Sequence, residues 1–290
     1  MAIYSLKNNL LTIQVNSFGA ELCCIRDNFC AAEYLWNGDA RYWKRFAPVL
    51  FPIVGNVKNK QYTYKDKTYT LPQHGFARDM EFTLVSQTEN EIWFELRDTA
   101  ETRAVYPFAF SLKIGYRLTA RCVETMWEVK NLGDETMHFS IGGHPGFFCP
   151  EPKKRQTDYY FSFDTAKDLI YDKLDASGLV ASDDNVLPLN GSLLPITEGM
   201  FDGDALIFEH HQAHRVSILR MDYTPYITVE FDAPLFGLWS PAGKNAPFVC
   251  IEPWYGRADR ADFDGTLAER EWGNSLAAGE VFTTSYRIYV

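Results

Sequence analysis

Strict alternation of apolar and polar residues recurs from one end of this 290-residue chain to the other, and no other pattern limits its possible folds as much. The clearest stretch is Phe110, Leu112, Ile114, Tyr116 and Leu118, separated by Ser111, Lys113, Gly115, Arg117 and Thr119. Side chains of a strand point to opposite faces in turn, so a period of two predicts a strand with one face on the core. The signature returns at Leu11, Ile13, Val15; at Val123, Thr125, Trp127, Val129; at Ile227, Val229, Phe231; and at Phe282, Thr284, Tyr286, Ile288, Val290. Turn-forming clusters lie between, among them Asn131-Leu132-Gly133-Asp134, Asn190-Gly191-Ser192 and Asp202-Gly203-Asp204, spaced for hairpins and meanders. Helical periodicity is scarce, the best instance being a short turn at Thr99-Ala100-Glu101-Thr102-Arg103 that ends before Pro107. Strands in both halves, with no alternation of strand and helix, predict an all-β fold: a large antiparallel β-sandwich with few short helices, residues 1–290 forming a single domain. From Gln156 to Met200 the alternation fades, and irregular loops over the sheet face are expected there.

The aromatic share of 15% favours strands and supplies flat apolar faces for ligands. A net charge of -10 repels a phosphate backbone, and the short clusters Lys58-Asn59-Lys60 and Lys153-Lys154-Arg155 read as solvated turns, so no nucleic-acid partner is expected. Met1 to Lys7 lacks a basic region followed by an apolar core, and no apolar run is long enough to span a membrane. Cys23, Cys24, Cys30, Cys122, Cys149 and Cys250 show no paired spacing, as expected of reduced thiols in a cytoplasmic protein. None of these features sets an oligomeric state.

Within this framework several segments combine a rigid backbone with ionisable side chains. Gly142-Gly143-His144-Pro145-Gly146-Phe147 breaks off a strand-like run and aims a histidine, the side chain that exchanges protons near neutrality. Two glycines give the backbone freedom and the proline restricts it, so His144 is a positioned acid or base, or else a turn histidine bonded to a carbonyl. Leu71-Pro72-Gln73-His74-Gly75-Phe76-Ala77-Arg78 presents a second histidine in similar packaging. Phe248-Val249-Cys250-Ile251-Glu252-Pro253-Trp254-Tyr255-Gly256 places a glutamate at the end of an apolar strand, where desolvation would make it a better base and the aromatics could stack on a sugar. An ion-paired Glu at a strand end is the alternative. Arg45 enters the apolar run Phe46 to Gly55 and offers a planar fork of donors, although the local sequence by itself favours an edge strand with a surface arginine. Asp204 is placed to orient a hydroxyl, or serves only its turn.

Metal signals are weak. His210 and His214 in Glu209-His210-His211-Gln212-Ala213-His214 have a four-residue spacing but lie in a strand-rich region, and Asp262-Phe263-Asp264-Gly265 lacks the further ligands of a calcium loop. No metal and no cofactor is expected to be required, and there is no glycine-rich phosphate loop.

Taken in chain order, five segments resemble the aldose 1-epimerase (galactose mutarotase-like) family, in its LacX-like branch. They are Ala47-Pro48-Val49-Leu50-Phe51-Pro52-Ile53-Val54-Gly55, Gln73-His74-Gly75-Phe76-Ala77-Arg78, Tyr106-Pro107-Phe108, Gly143-His144-Pro145-Gly146-Phe147 and Ile251-Glu252-Pro253-Trp254-Tyr255-Gly256-Arg257. The resemblance implies a galactose mutarotase-like supersandwich with a sugar site on a concave face. It assigns His144 as general acid, Glu252 as general base, His74 to the ring-oxygen side of the sugar and Asp204 to sugar hydroxyls. Arg45 is the candidate substrate arginine, with Arg78 a further substrate-binding candidate. One departure is that Gly55 is followed by Asn56 where many mutarotases carry arginine, which leaves the sugar open. The expected activity is interconversion of α and β anomers of an aldose, a small-molecule sugar. The alternatives are a non-catalytic carbohydrate-binding or sensing protein, a hexose-6-phosphate epimerase using Arg78, Lys58 or Arg257, and a glycosidase pairing Glu252 with Asp204.

Overall fold

A computed structural model describes residues 1–151, 154–181 and 184–290, so Lys153 of the second basic cluster lies outside the described residues. Nearly all regular structure is antiparallel sheet. A nine-stranded sheet runs in the spatial order Leu193–Pro195, Tyr160–Phe163, Arg215–Leu219, Pro225–Phe231, Val281–Tyr289, Cys122–Asn131, Phe110–Thr119, Glu91–Arg97, Thr83–Gln87. A six-stranded sheet holds Leu206–Phe208, Leu235–Trp239, Phe248–Tyr255, Ile141–Gly143 and Val49–Leu50, with Gly146–Phe148 also paired to Phe248–Tyr255. Three strands at the N-terminus, Ile3–Lys7, Leu11–Asn16 and Glu21–Asp27, form a separate sheet.

The core joins all three. Leu11 and Ile13 of the N-terminal sheet, Ile114, Trp127 and Val229 of the large sheet, and Phe51, Ile141 and Ile251 from the six-stranded side form one buried apolar cluster. Each such side chain contributes about 1.5–3 kcal/mol over its exposed state, which rewards the alternating pattern. On Phe110–Thr119 the expected inward residues are all buried, and Gly115 on the other face leaves room for the Trp93 indole that covers it. The short helix is Ala100–Val105, with Thr99 and Thr102 exchanging side-chain-to-backbone hydrogen bonds as a capping box.

The segment from Gln156 to Met200 is more regular than expected. It supplies the last two strands of the large sheet, Tyr160–Phe163 and Leu193–Pro195, and the hairpin Leu169–Tyr171 with Asn185–Leu187. Strands of three or four residues are too short to display a period, which is why the sequence reads as loop. Among the described residues no helix is long and apolar enough to cross a membrane. All six cysteines are free thiols.

Candidate active site

The six-stranded sheet sets the site through its register. Phe248–Tyr255 is buried on both faces, which erases alternation from its sequence: Val249 and Ile251 join the main core, while Phe248, Cys250, Glu252 and Trp254 point the other way. Glu252 therefore lies within this strand and not at its end. On the neighbouring strands Gly142 is opposite Trp254 and Gly146 is opposite Cys250, so His144, at the jog between two short strands, falls opposite Glu252. Gly142 and Gly143 are in extended conformation rather than the left-handed one. They are needed for space, because a Cβ on Gly142 would lie 2.5 Å from the Trp254 ring and one on Gly143 3.0 Å from Tyr286.

The apolar run Ala47 to Gly55 holds both histidine segments. The His144 N–H donates to the Pro48 carbonyl (3.1 Å) and the His74 N–H donates to the Gly55 carbonyl (2.8 Å). The Gly55 N–H in turn donates to His74 Nδ1 (3.0 Å), which makes Nδ1 an acceptor and leaves Nε2 to carry the proton of a neutral ring. His74 and Gly75 both have positive φ, 64° and 68°, and a Cβ on Gly75 would lie 2.3 Å from the Phe51 carbonyl oxygen.

His144 Nε2 lies 3.3 Å from Glu252 Oε2. The imidazole stacks on Trp43 (4.8 Å between centroids, 28°) and meets Trp239 edge-on at 5.2 Å and His74 edge-on at 5.8 Å. Both Glu252 oxygens and His144 Nδ1 are buried with no hydrogen-bond partner among the described residues. Native proteins rarely leave buried polar atoms in that condition outside functional sites. Burial, followed by the negative charge of Asp204, drives the Glu252 pKa well above the usual carboxylate value. Burial, followed by the Arg78 charge, pushes His144 down to about 3 and holds His74 well below the ordinary imidazole range.

These groups line a cavity of about 220 Å³. Its polar lining residues are Gln73, His74, Arg78, His144, Asp204 and Glu252, and its apolar ones include Val54, Leu174, Ala205, Ile207, Trp254 and Ala258. Five of the six site residues expected from sequence are thus brought together, and Arg45 is the exception. Its guanidinium is paired with Asp79 at 3.0 Å, outside the lining, because Asp79 offers a carboxylate within reach. Arg78 does line the cavity; it donates to the Gln73 carbonyl (2.7 Å), and its Nε is buried without a hydrogen-bond partner, 3.8 Å from a carboxylate oxygen of the same Asp79. Burial and the nearby Arg45 charge lower its pKa to about 10. Of the two aromatics after Glu252 only Trp254 lines the cavity, since the Tyr255 hydroxyl is bonded to Thr284 (2.6 Å) on the core side.

The remaining cations suggested for a phosphate are engaged elsewhere. Lys58 is paired with Asp264 at 2.7 Å, and Arg257 is enclosed between Glu209 and Glu271. Neither lines the cavity. His210 and His214 sit around a turn, His214 Nδ1 lying 3.1 Å from the Phe231 carbonyl. The side chains among the described residues whose donor atoms lie close enough to share an ion are His144, Cys250 and Glu252, all within 4.8 Å of one another. Sequence reasoning did not find Trp43, Trp239, Leu174 or Gly178, which arrive from loops and strands carrying no motif.

The fold is that of a galactose mutarotase-like sandwich. The chain belongs to the aldose 1-epimerase family, whose family model matches residues 2–288. It is 31% identical over 295 residues to the chromosomal LacX protein of Lactococcus lactis subsp. lactis, covering 98% of each chain. Its structure resembles that of a galactose mutarotase related enzyme from Lactobacillus acidophilus, with a TM-score of 0.94 and 36% identity over 99% of this chain and 97% of that one. A galactose mutarotase-like protein from Lactobacillus casei matches with a TM-score of 0.92 and 27% identity over 99% of both chains.

Proposed function

We propose that this chain is an aldose 1-epimerase that interconverts the α and β anomers of an unphosphorylated aldose, with His144 and Glu252 moving the protons. The observation that carries the reading is the 3.3 Å contact between an imidazole and a carboxyl at the wall of a sugar-sized cavity.

Ring opening requires a proton to reach the ring oxygen while another leaves the anomeric hydroxyl. Both oxygens are bonded to one carbon, so an acid and a base that nearly touch address them together. One proton shared by the pair suffices. Burial favours the uncharged placement, with the proton on Glu252; sugar hydroxyls that hydrogen-bond the carboxylate lower its pKa and pass the proton to His144. His144 then protonates the ring oxygen and Glu252 takes the hydroxyl proton. Rotation about the C1–C2 bond of the open aldehyde and reversal of both transfers give the other anomer.

His74, with its proton on Nε2, supplies a donor beside the ring oxygen. The exposed Asp204 and the Arg78 fork suit sugar hydroxyls, and the Trp254 face suits the apolar side of a ring. Arg78 as the cation lining the cavity, beside the two carboxyls Asp204 and Glu252, disfavours a phosphate dianion.

Polarimetry of freshly dissolved glucose, galactose and other aldoses tests the reading, with the 6-phosphates run in parallel. Faster approach to anomeric equilibrium with wild type, lost in His144→Ala and Glu252→Gln, is expected. Saturable sugar binding without rate enhancement would instead indicate a binding protein on this fold.

A further inference from the structure

Glu21 has no place in the chemistry described above, yet it is a carboxyl only 8% exposed, at the start of the Glu21–Asp27 strand of the N-terminal sheet. Its Oε1 accepts the N–H groups of Phe46 (2.7 Å) and Ala47 (3.0 Å). Pro48 has no N–H, so these are all the backbone donors of the 46–48 stretch, and both end on one oxygen.

The same three residues direct their carbonyls at the turn that carries the imidazole. Pro48 accepts the His144 N–H at 3.1 Å and Phe46 accepts the Gly146 N–H at 2.9 Å. The backbone on both sides of Pro145 is therefore suspended from a stretch whose own donors are held by a single side chain from another sheet. Trp43, which stacks on the His144 ring, enters this stretch three residues earlier. Ala47 is 2% exposed, so removing the carboxyl leaves a buried N–H without its acceptor, and the stretch moves to find a partner.

We propose that Glu21 is a positioning residue for the acid–base pair: through residues 46–48 it sets the peptide of His144, and with it the approach of the imidazole to Glu252. The catalytic half of this inference rests on the epimerase reading, while the structural half does not. Only the oxygen that accepts both N–H groups is required. Glutamine keeps that oxygen and alanine removes it.

Two measurements on wild type, Glu21→Gln and Glu21→Ala decide the matter. In polarimetric kinetics the Gln variant keeps kcat within about threefold, whereas Ala loses kcat by about 10²-fold with KM changed less than about threefold, as expected when a reacting group is displaced but the sugar contacts remain. In ¹⁵N-histidine NMR, with His144→Ala to assign the signal, the His144 resonance, shifted by the stacked Trp43 ring, stays put in Gln and moves in Ala. If Glu21→Ala fails to fold, Glu21→Asp replaces it: one methylene shorter, it must drag the stretch, and its His144 signal moves. A wild-type His144 signal and kcat in the Ala variant, or equal damage from Gln and Ala, overturns the proposal. Should the wild type itself lack epimerase activity, that reading fails alone and the His144 resonance still tests the clamp.

Discussion

His144 Nε2 and Glu252 Oε2 lie 3.3 Å apart although 108 positions of chain separate them, because the register on either side of the Pro145 jog places the two residues opposite each other. Such proximity makes them one unit. Either His144→Ala or Glu252→Gln should lower the catalysed rate by on the order of 10²–10⁴-fold, and the double variant should lose little beyond the worse single one. Polarimetry of all three checks this, and multiplicative losses would mean that the two groups act independently.

Glu21 supplies a pH dependence of stability. Burial raises its pKa from 4.5 to about 7, against the hydrogen bonds from Phe46 and Ala47 and the charges of Arg45 and Arg78, which lower it. Cys23 on its own strand and the Tyr116 hydroxyl, bonded to the Ala20 carbonyl at 2.7 Å, are the other ionisable groups that sense it. The folded state binds this proton more tightly than the unfolded one. The resulting stabilisation is fully present below pH 4.5 and is lost as pH rises through about 7, up to roughly 3 kcal/mol. Denaturant unfolding at pH 5 and pH 8 should therefore show wild type losing stability relative to Glu21→Gln. Parallel behaviour of the two would show that the raised pKa is wrong.

The two arginines near the histidines should separate by function. Arg78→Met removes a cavity-lining donor and should raise KM for the sugar at least about tenfold, the worth of one charge-assisted hydrogen bond. Arg45→Met breaks a pair with the half-exposed Asp79, should cost under about 1 kcal/mol of stability, and should change KM less. A larger KM effect at Arg45 would return the substrate role to it.

Behind the cavity, Arg257 is 2% exposed and holds the buried carboxylate of Glu209, which also accepts the Trp272 indole N–H at 2.8 Å. Arg257→Met leaves that carboxylate without its cation and should destabilise by about 3–5 kcal/mol in denaturant unfolding. Adding Glu209→Gln should recover part of the loss. No recovery would mean that packing of the guanidinium, and not charge, is what matters there.

Much of the fold was legible because alternation over eight or ten residues admits few readings: Phe110–Thr119 and Cys122–Asn131 lie where the pattern places them. Short strands such as Leu193–Pro195 left no period to read. At the site, His144, Glu252, His74 and Asp204 stood out through the turn residues and apolar runs around them, and Arg78 entered through the family resemblance and as a possible phosphate contact. Arg45 was legible as an arginine but not as one already satisfied by Asp79. Trp43, Trp239 and Leu174 carry no local signal, since a cavity wall is assembled from whatever side chains distant segments deliver to it.

Periodicity and turn chemistry, which are properties of neighbouring residues, were enough to favour a sandwich of antiparallel strands and to mark two restrained histidines and a glutamate as candidates. Distance is not a property of neighbours. Strand register brought the imidazole opposite the carboxyl, and a carboxyl from a third sheet holds the stretch on which that imidazole hangs, because hydrogen-bond partners across sheets are selected only when the core packs.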